Sequence, residues 1–296
     1  MTDSGVPLEL LLKGVEHSRI TGGPQTIASL AIDSRAVKPG ALFFALPGEH
    51  SDGHRFIAEA VAKGAVAIVC ERDAESAGNA TAVVVPDSTA ALSKIADAFF
   101  RSPSRDLAVA GVTGTNGKTT VTHMVAGIVR AAGLSAGIVG TLGTAFESVS
   151  EPLANTTPPA SELHALLAQM RDAGVKIVAI EVSSHALALQ RVNDVHFAVG
   201  ALTNVTRDHL DFHKTPEAYA AAKRRLFDLA PRAVLNADDP LGAQWAAELR
   251  DRKPVLTYSV KSEAAVCAQS VRPGAEGSSF TVDGRAFELR LPGRFN

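Results

Sequence analysis

Apolar runs of strand length alternate with amphipathic stretches along most of this chain. In the first third, residues 41–46, 65–70 and 82–85 are almost continuously apolar, the pattern of strands covered on both faces. Residues 54–63 carry helical spacing that stops at Gly64, and residues 89–100 predict a second helix. Further on, residues 107–112, 136–139, 176–181, 197–202 and 233–236 predict strands. Residues 121–132, 161–173, 216–229 and 240–250 predict the helices between them. Apolar strands in alternation with helices mean a mostly parallel sheet with helices on both faces. From Val255 onward shorter runs at 255–259, 265–271, 279–282 and 287–291 predict an antiparallel appendage. The polar stretch Arg101-Ser102-Pro103-Ser104-Arg105 predicts a linker. The fold expected is α/β throughout: a small N-terminal domain over residues 1–104, then a phosphate-loop-type sheet domain over residues 105–296.

Composition narrows the function. With 296 residues, 46% hydrophobic and 20% charged, the chain is ordinary globular protein with room for two cores. A net charge of −2 gives no electrostatic case for a nucleic-acid partner. Cys70 and Cys267 sit in apolar runs and read as structural thiols, not as a disulfide framework. Asp3 and Glu9 spoil a signal-peptide reading, and no apolar run is long enough to cross a bilayer. A cytoplasmic protein without membrane insertion is expected.

Ligands of open parallel sheets bind at the carboxyl ends of the strands, so the residues there carry the chemical argument. Val112-Thr113-Gly114-Thr115-Asn116-Gly117-Lys118-Thr119-Thr120 lies between a predicted strand and a predicted helix. A Gly-rich turn closed by Gly-Lys-Thr is the build of a nucleotide phosphate cradle. Backbone N–H groups face the phosphates, Lys118 reaches the terminal ones, and the Thr119 hydroxyl can meet Mg²⁺. Val112 stands where the strict pattern has glycine, and a Gly-rich structural turn is the plain alternative. Glu181 ends the run 176–181 and could hold Mg²⁺ there; as a plain feature it is an acid at a helix start, with Ser183 or Ser184 as cap. Asp208-His209-Leu210-Asp211-Phe212-His213 follows Thr203-Asn204 at another strand end and is either a ligand cluster or a polar loop. Lys223 lies among alanines, where a lysine is either solvated or, turned inward, neutral enough to form a carbamate with carbon dioxide. Asp33-Ser34-Arg35 is either an Asx turn or part of a nucleotide grip.

The segment Thr-Gly-Thr-Asn-Gly-Lys-Thr-Thr resembles the ATP loop of the Mur ligases and of the related folylpolyglutamate synthases. Taken with Asp33-Ser34-Arg35, Asn155-Thr156-Thr157-Pro158, Glu181-Val182-Ser183-Ser184-His185 and residues 206–213, the chain resembles the MurE-type ligases, the UDP-N-acetylmuramoyl-tripeptide synthetases. That resemblance implies ATP-dependent ligation in peptidoglycan precursor synthesis. The substrates would be UDP-MurNAc-L-Ala-D-Glu and a diamino acid, meso-diaminopimelate ahead of L-lysine, joined through an acyl phosphate. It implies that Gly114, Thr115, Asn116, Gly117, Lys118, Thr119 and Thr120 hold ATP, with Asn236 and Asn296 toward the adenosine. Thr119, Glu181, His209 and Lys223 as a carbamate would hold Mg²⁺. Lys118, Lys223, Glu181 and His209 would be catalytic. Ile32 and Ser34, with Glu49, His50 and Ser51, would meet the UDP end. Asn155, Thr156, Thr157, Ser183 and Arg191 would hold the muramoyl dipeptide. Leu189 departs from the glutamine of some members. Residues 291–296 resemble the stretch that precedes a third, amino-acid-selecting domain. The expectation is therefore a monomeric fragment that binds UDP-substrate, binds ATP weakly and makes no product. Two alternatives remain: a folylpolyglutamate synthase-like ligase, and a binding module without turnover.

Overall fold

The structure is a computed structural model that describes residues 5–48, 51–261 and 263–291. The chain forms two compact units: Met1–Pro103 with Pro159–Ala168 and Leu189–Val195, and Ser104–Pro158 with Gln169–Ala188 and His196–Asn296. Two short segments of the second half thus belong to the first unit. The polar stretch near 101–105 is tight, not extended: Pro103–Arg105 is a 3-10 turn, and buried Ser104 accepts a hydrogen bond from the His196 N–H at 3.0 Å.

In the first unit the order of the sheet is Arg19–Thr21, Thr81–Val84, Ala65–Cys70, Ala41–Phe44, Ser29–Ala31. The last four strands are parallel, and Arg19–Thr21 runs antiparallel at one edge. Ala41–Phe44 is buried at every position because both sheet faces are covered. Successive side chains point to opposite faces, so Leu42 and Phe44 join one core with Leu11, Val69 and Ile95, while Phe43 joins the other with Ile57 and Ile68. The helix Ser88–Phe99 starts where the Asp87 carboxylate accepts from the Ala90 N–H at 2.8 Å.

The second unit holds a nine-stranded sheet in the order Val149–Glu151, Gly143–Phe146, Ala136–Gly140, Ile177–Glu181, Ala108–Thr113, Phe197–Leu202, Ala233–Asn236, Val255–Ser259, Val266–Cys267. Seven of these are parallel, and a hairpin the sequence pattern did not announce, Gly143–Phe146 with Val149–Glu151, adds an antiparallel edge. Val255–Ser259 also corrects the expectation of an antiparallel appendage from Val255: it pairs parallel with Ala233–Asn236. The helix Pro240–Leu249 between them supplies the crossover that parallel pairing needs. The antiparallel meander begins only at Gln269–Pro273, followed by Ser278–Val282 and Arg285–Leu289. The predicted helix 216–229 breaks into Pro216–Arg224 and Leu226–Leu229. The predicted helix 121–132 instead begins at Lys118, inside the Gly-rich segment.

Two helix glycines should respond oppositely to alanine. A Cβ on Gly242 would overlap the Asn236 carbonyl oxygen, whereas nothing lies within 4 Å of one on Gly127. Gly242→Ala should destabilise by about 1–3 kcal/mol through overpacking. Gly127→Ala should stabilise by about 0.5–1 kcal/mol through helix propensity. Urea unfolding of both variants checks this; equal shifts of one sign would contradict the packing described.

Candidate functional site

The carboxyl ends of adjacent parallel strands collect the polar residues. Register pairs Glu181 with Val112, and Leu202 with both Thr113 and Leu235. Across the sheet the strand ends therefore run Gly140-Thr141, Glu181, the Gly-rich loop, Thr203-Asn204, Asn236. The loop leaves the central strand at Thr113 and enters the helix at Lys118. Gly114 and Gly117 have φ of 149° and 83°, the left-handed region that suits glycine. A Cβ on Gly114 would overlap Thr203 Oγ1. The first-turn N–H groups of Lys118, Thr119 and Thr120 have no intrahelical acceptor and sit at the positive end of the helix dipole. Lys118 folds back, donating to the carbonyls of Gly114 and Thr115, both at 2.9 Å. Burial pushes its pKa down, and the charges of Glu181 and Asp208 partly offset that.

Glu181 is 1% exposed. One carboxylate oxygen accepts from the Thr141 N–H at 2.9 Å. The other accepts from the hydroxyls of Thr119, at 2.9 Å, and Thr141, at 3.1 Å. Among the described residues no ion pair reaches it. A buried carboxylate fixed only by neutral donors and touching a threonine hydroxyl fits a hard cation, which prefers oxygen ligands. Thr141 also meets the Thr156 hydroxyl at 3.1 Å, and Thr157 donates to the Glu181 carbonyl at 2.7 Å. Ser183 caps the helix Ser184–Ala188, its hydroxyl oxygen accepting from the Ala186 N–H at 3.1 Å.

Lys223, 1% exposed on the helix Pro216–Arg224, donates to the Gly114 carbonyl at 2.8 Å. The same oxygen thus accepts from both Lys118 and Lys223. Burial, and next the Lys118 charge, push the Lys223 pKa down to about 7. Its Nζ stands 4.4 Å from the centre of the Tyr219 ring, and Tyr219 meets the Thr115 hydroxyl at 3.1 Å. His209 is a left-handed residue ahead of the helix Leu210–His213. Its ring lies edge-on to His185 at 4.9 Å, and His185 contacts His213 at 5.5 Å. Burial foremost, then His185, His209 and Lys223, lower the His213 pKa. Among the described residues no group of three or more His, Cys, Asp or Glu side chains is placed to hold a metal ion.

The remaining residues singled out in the sequence are spread more widely. Asn155 is exposed, Thr156 half-buried and Thr157 buried. In the first unit Ile32 is half-buried, and buried Ser34 donates to Glu59 at 3.0 Å. Arg191 also belongs to the first unit, where burial lowers its pKa and the Glu162 charge opposes that. Asn236 uses both ends of its amide internally, donating to the Thr203 carbonyl at 2.8 Å and accepting from the Asp238 N–H at 2.9 Å. Glu49, His50 and Asn296 lie outside the described residues. Thr141 and Tyr219, which touch Glu181 and Lys223, carry little sequence signal: Thr141 follows a predicted strand end, and Tyr219 is one aromatic within a predicted helix.

Residues 112–296 match the Mur ligase middle domain, and residues 26–100 match the Mur ligase family, catalytic domain. The chain is 43% identical over 288 residues to the UDP-N-acetylmuramoyl-L-alanyl-D-glutamate--2,6-diaminopimelate ligase of Geobacillus thermodenitrificans, covering 93% of this chain and 58% of that protein. It therefore spans less than two thirds of that relative. A solved structure of a ligase of the same name superposes with a TM-score of 0.80 at 28% identity, covering 92% of this chain and 57% of the other. The MurF ligase of Thermotoga maritima, solved in complex with ADP, gives a TM-score of 0.58 at 21% identity over 90% of this chain and 58% of the other, a likeness of fold alone. No helix among the described residues is long and apolar enough to cross a membrane.

Lys223 gives this site a pH signature. The folded chain releases its proton at about 7, whereas the unfolded chain holds it up to an ordinary lysine value of 10.5. Between those values the unfolded state binds more protons, so stability rises with pH across the window; below about 7 the cost of the buried charge is fully present. In carbon-dioxide-free buffer Lys223→Met should be stabilised relative to wild type on the acid side of the window. That advantage should shrink toward its alkaline side. Denaturant unfolding at three pH values reads the difference; a constant gap would mean that Lys223 stays charged throughout.

Proposed function

The chain belongs to the Mur ligase family, and on that premise we propose that it acts in ATP-dependent ligation of a diamino acid to UDP-MurNAc-L-Ala-D-Glu, a step of peptidoglycan precursor synthesis. The observation that carries this reading is the Gly-rich loop set directly beside buried Glu181, with the Thr119 hydroxyl joining the two at 2.9 Å. A phosphate loop beside a fixed carboxylate suits a magnesium nucleotide. The names of the similar ligases support diaminopimelate as the incoming amine. A cytoplasmic location follows from those nucleotide substrates.

The reaction has two steps. The γ-carboxylate of the D-glutamyl residue takes the γ-phosphoryl group of ATP, giving an acyl phosphate and ADP. The amine then attacks the acyl carbon, and phosphate leaves as the amide forms and the amine loses its proton. Bound Mg²⁺ would neutralise phosphate charge, and Glu181 and Thr119 would hold it, with His209 and carbamylated Lys223 as further candidate ligands. Lys118 exchanges the Gly114 and Thr115 carbonyls for phosphate oxygens, a stronger charge-assisted contact. The loop Gly114, Thr115, Asn116, Gly117, Lys118, Thr119 and Thr120 would form the phosphate cradle, with the helix N-terminus as its anion-facing part. The amide of Asn236, now satisfied internally, would trade one partner to reach the adenosine, with Asn296 beside it. Asn155, Thr156, Thr157, Ser183 and Arg191 would orient the muramoyl dipeptide, and Ile32 and Ser34 the uridine end. The protein's contribution is positioning and charge neutralisation.

Lys223 is suited to a carbamate. Its near-neutral pKa leaves a free amine to attack carbon dioxide; one N–H proton is lost, and the other remains to donate to the Gly114 carbonyl. The change also replaces repulsion of Lys118 by attraction.

Lys118→Ala should weaken binding of a non-hydrolysable ATP analogue by about a hundredfold or more while leaving the fold intact. Calorimetric titration measures it, and unchanged affinity would sink the phosphate-loop assignment. Incubation with ATP, Mg²⁺, UDP-MurNAc-L-Ala-D-Glu and diaminopimelate, followed by mass spectrometry, tests the reaction, first on the 296-residue chain and then on a longer protein containing it. Tripeptide formed by neither would refute the proposed activity. Labelled bicarbonate should give a carbamate carbon signal that Lys223→Ala abolishes.

A further inference from the structure

The loop between Thr113 and Lys118 is held from outside by the neighbouring strand end. The Thr115 N–H donates to the Asn204 carbonyl at 2.8 Å, and the Asn116 N–H donates to Asn204 Oδ1 at 3.0 Å. Asn204 Nδ2 donates back to the Asn116 carbonyl at 3.1 Å. Thr203 Oγ1 donates to the same carbonyl at 2.6 Å. The brace is itself anchored on both sides: the Thr203 carbonyl accepts from Asn236 Nδ2 at 2.8 Å, and the Val205 N–H donates to Asp239 Oδ2 at 2.8 Å.

We propose that Asn204 is a positioning residue of the nucleotide site, which commits the Thr115 and Asn116 N–H groups to the protein and confines the phosphate-binding donors to Gly117–Thr120. The assignment rests on the nucleotide reading of the loop and goes beyond it. Successive backbone N–H groups in such a turn are an anion-binding nest in their own right. Here the first two are already satisfied. The side chain that takes the second is an amide, which offers an acceptor and a donor without charge. That pair matches the N–H and the C=O of Asn116, which belong to successive peptide units, so the orientation of both units is held before any ligand arrives. A loop shaped in advance binds more tightly because ordering it costs the ligand nothing. The same contacts keep negative charge away from the first half of the loop and direct it to the helix N-terminus, where Lys118 stands.

Wild type, Asn204→Ala and Asn204→Asp are titrated calorimetrically with a non-hydrolysable ATP analogue and Mg²⁺ at neutral pH. Asn204→Ala should lose about tenfold or more in affinity. Asn204→Asp keeps the shape of the side chain but should bind worse than alanine, because its carboxylate loses the donor to the Asn116 carbonyl and places negative charge beside the phosphates. A side chain that only filled space would leave the isosteric aspartate nearer to wild type than alanine. In wild type, the amides of Gly117–Thr120 should gain protection from hydrogen exchange on nucleotide addition, while those of Thr115 and Asn116 should be protected already and gain none; this readout stands even if the alanine variant fails to fold. Alanine and aspartate variants that bind as wild type does, or Thr115 and Asn116 amides that gain protection with the rest, would overturn the proposal. A wild type that binds no nucleotide would overturn the reading of the loop itself, a result visible in the first titration.

Discussion

The site turns on the crowding around Gly114. Its φ of 149° and the absence of a Cβ let the chain pass against Thr203, and its carbonyl accepts from two lysines at once. Two ammonium groups on one oxygen, both largely buried, cannot be equally comfortable. Burial lowers the proton affinity of each, more so for Lys223, which is the deeper and also feels the charge of Lys118. On the proposed reading, a phosphate site needs positive charge that is present but poorly satisfied, and the Gly114 carbonyl is a weak partner that phosphate oxygens would replace.

The parallel sheet makes that crowding possible. Parallel strands present all their carboxyl ends on one edge, and each end here carries a different polar group: a threonine pair with Glu181, the Gly-rich loop, the Thr203-Asn204 brace and the Asn236 turn. Distances of 2.6–3.3 Å link them from one strand to the next. A shift in any strand's register would carry its end group out of reach of its neighbours. The cores beneath, Leu202 with Phe227, Leu235 and Trp245 among them, therefore set the geometry of the site as well as its stability.

Sequence reasoning reached the α/β class, the succession of strands and helices, and the Gly-rich loop, because apolar runs and Gly-Lys-Thr leave local signals. Phe197–Leu202 and Ala233–Asn236 fall on the residues that the apolar runs marked. It misplaced the strand Val255–Ser259, since run length does not say whether a strand pairs parallel or antiparallel, although the preceding helix was a crossover in plain view. It began the loop's helix three residues late because Lys118, Thr119 and Thr120 are polar; a helix N-terminus that faces an anion has no apolar stripe to reveal it.

Within the site, the sequence by itself determined which residue types were available and that they lie at strand ends. A buried apolar run must stop where polar residues begin, and a parallel sheet aligns those stops. Only the tertiary structure decided what they touch. Lys223 could be solvated or buried on any reading of its helix; packing against the strand ends and Tyr219 put its amine on the Gly114 carbonyl. Ser183 satisfied the plain reading as a helix cap, while Glu181 did not, being buried and bound to Thr119 and Thr141. Asn204 and Thr141 are ordinary polar residues in sequence. Their roles come from partners 88 and 40 residues away along the chain, contacts that no local periodicity encodes and that only the alignment of strands can bring about.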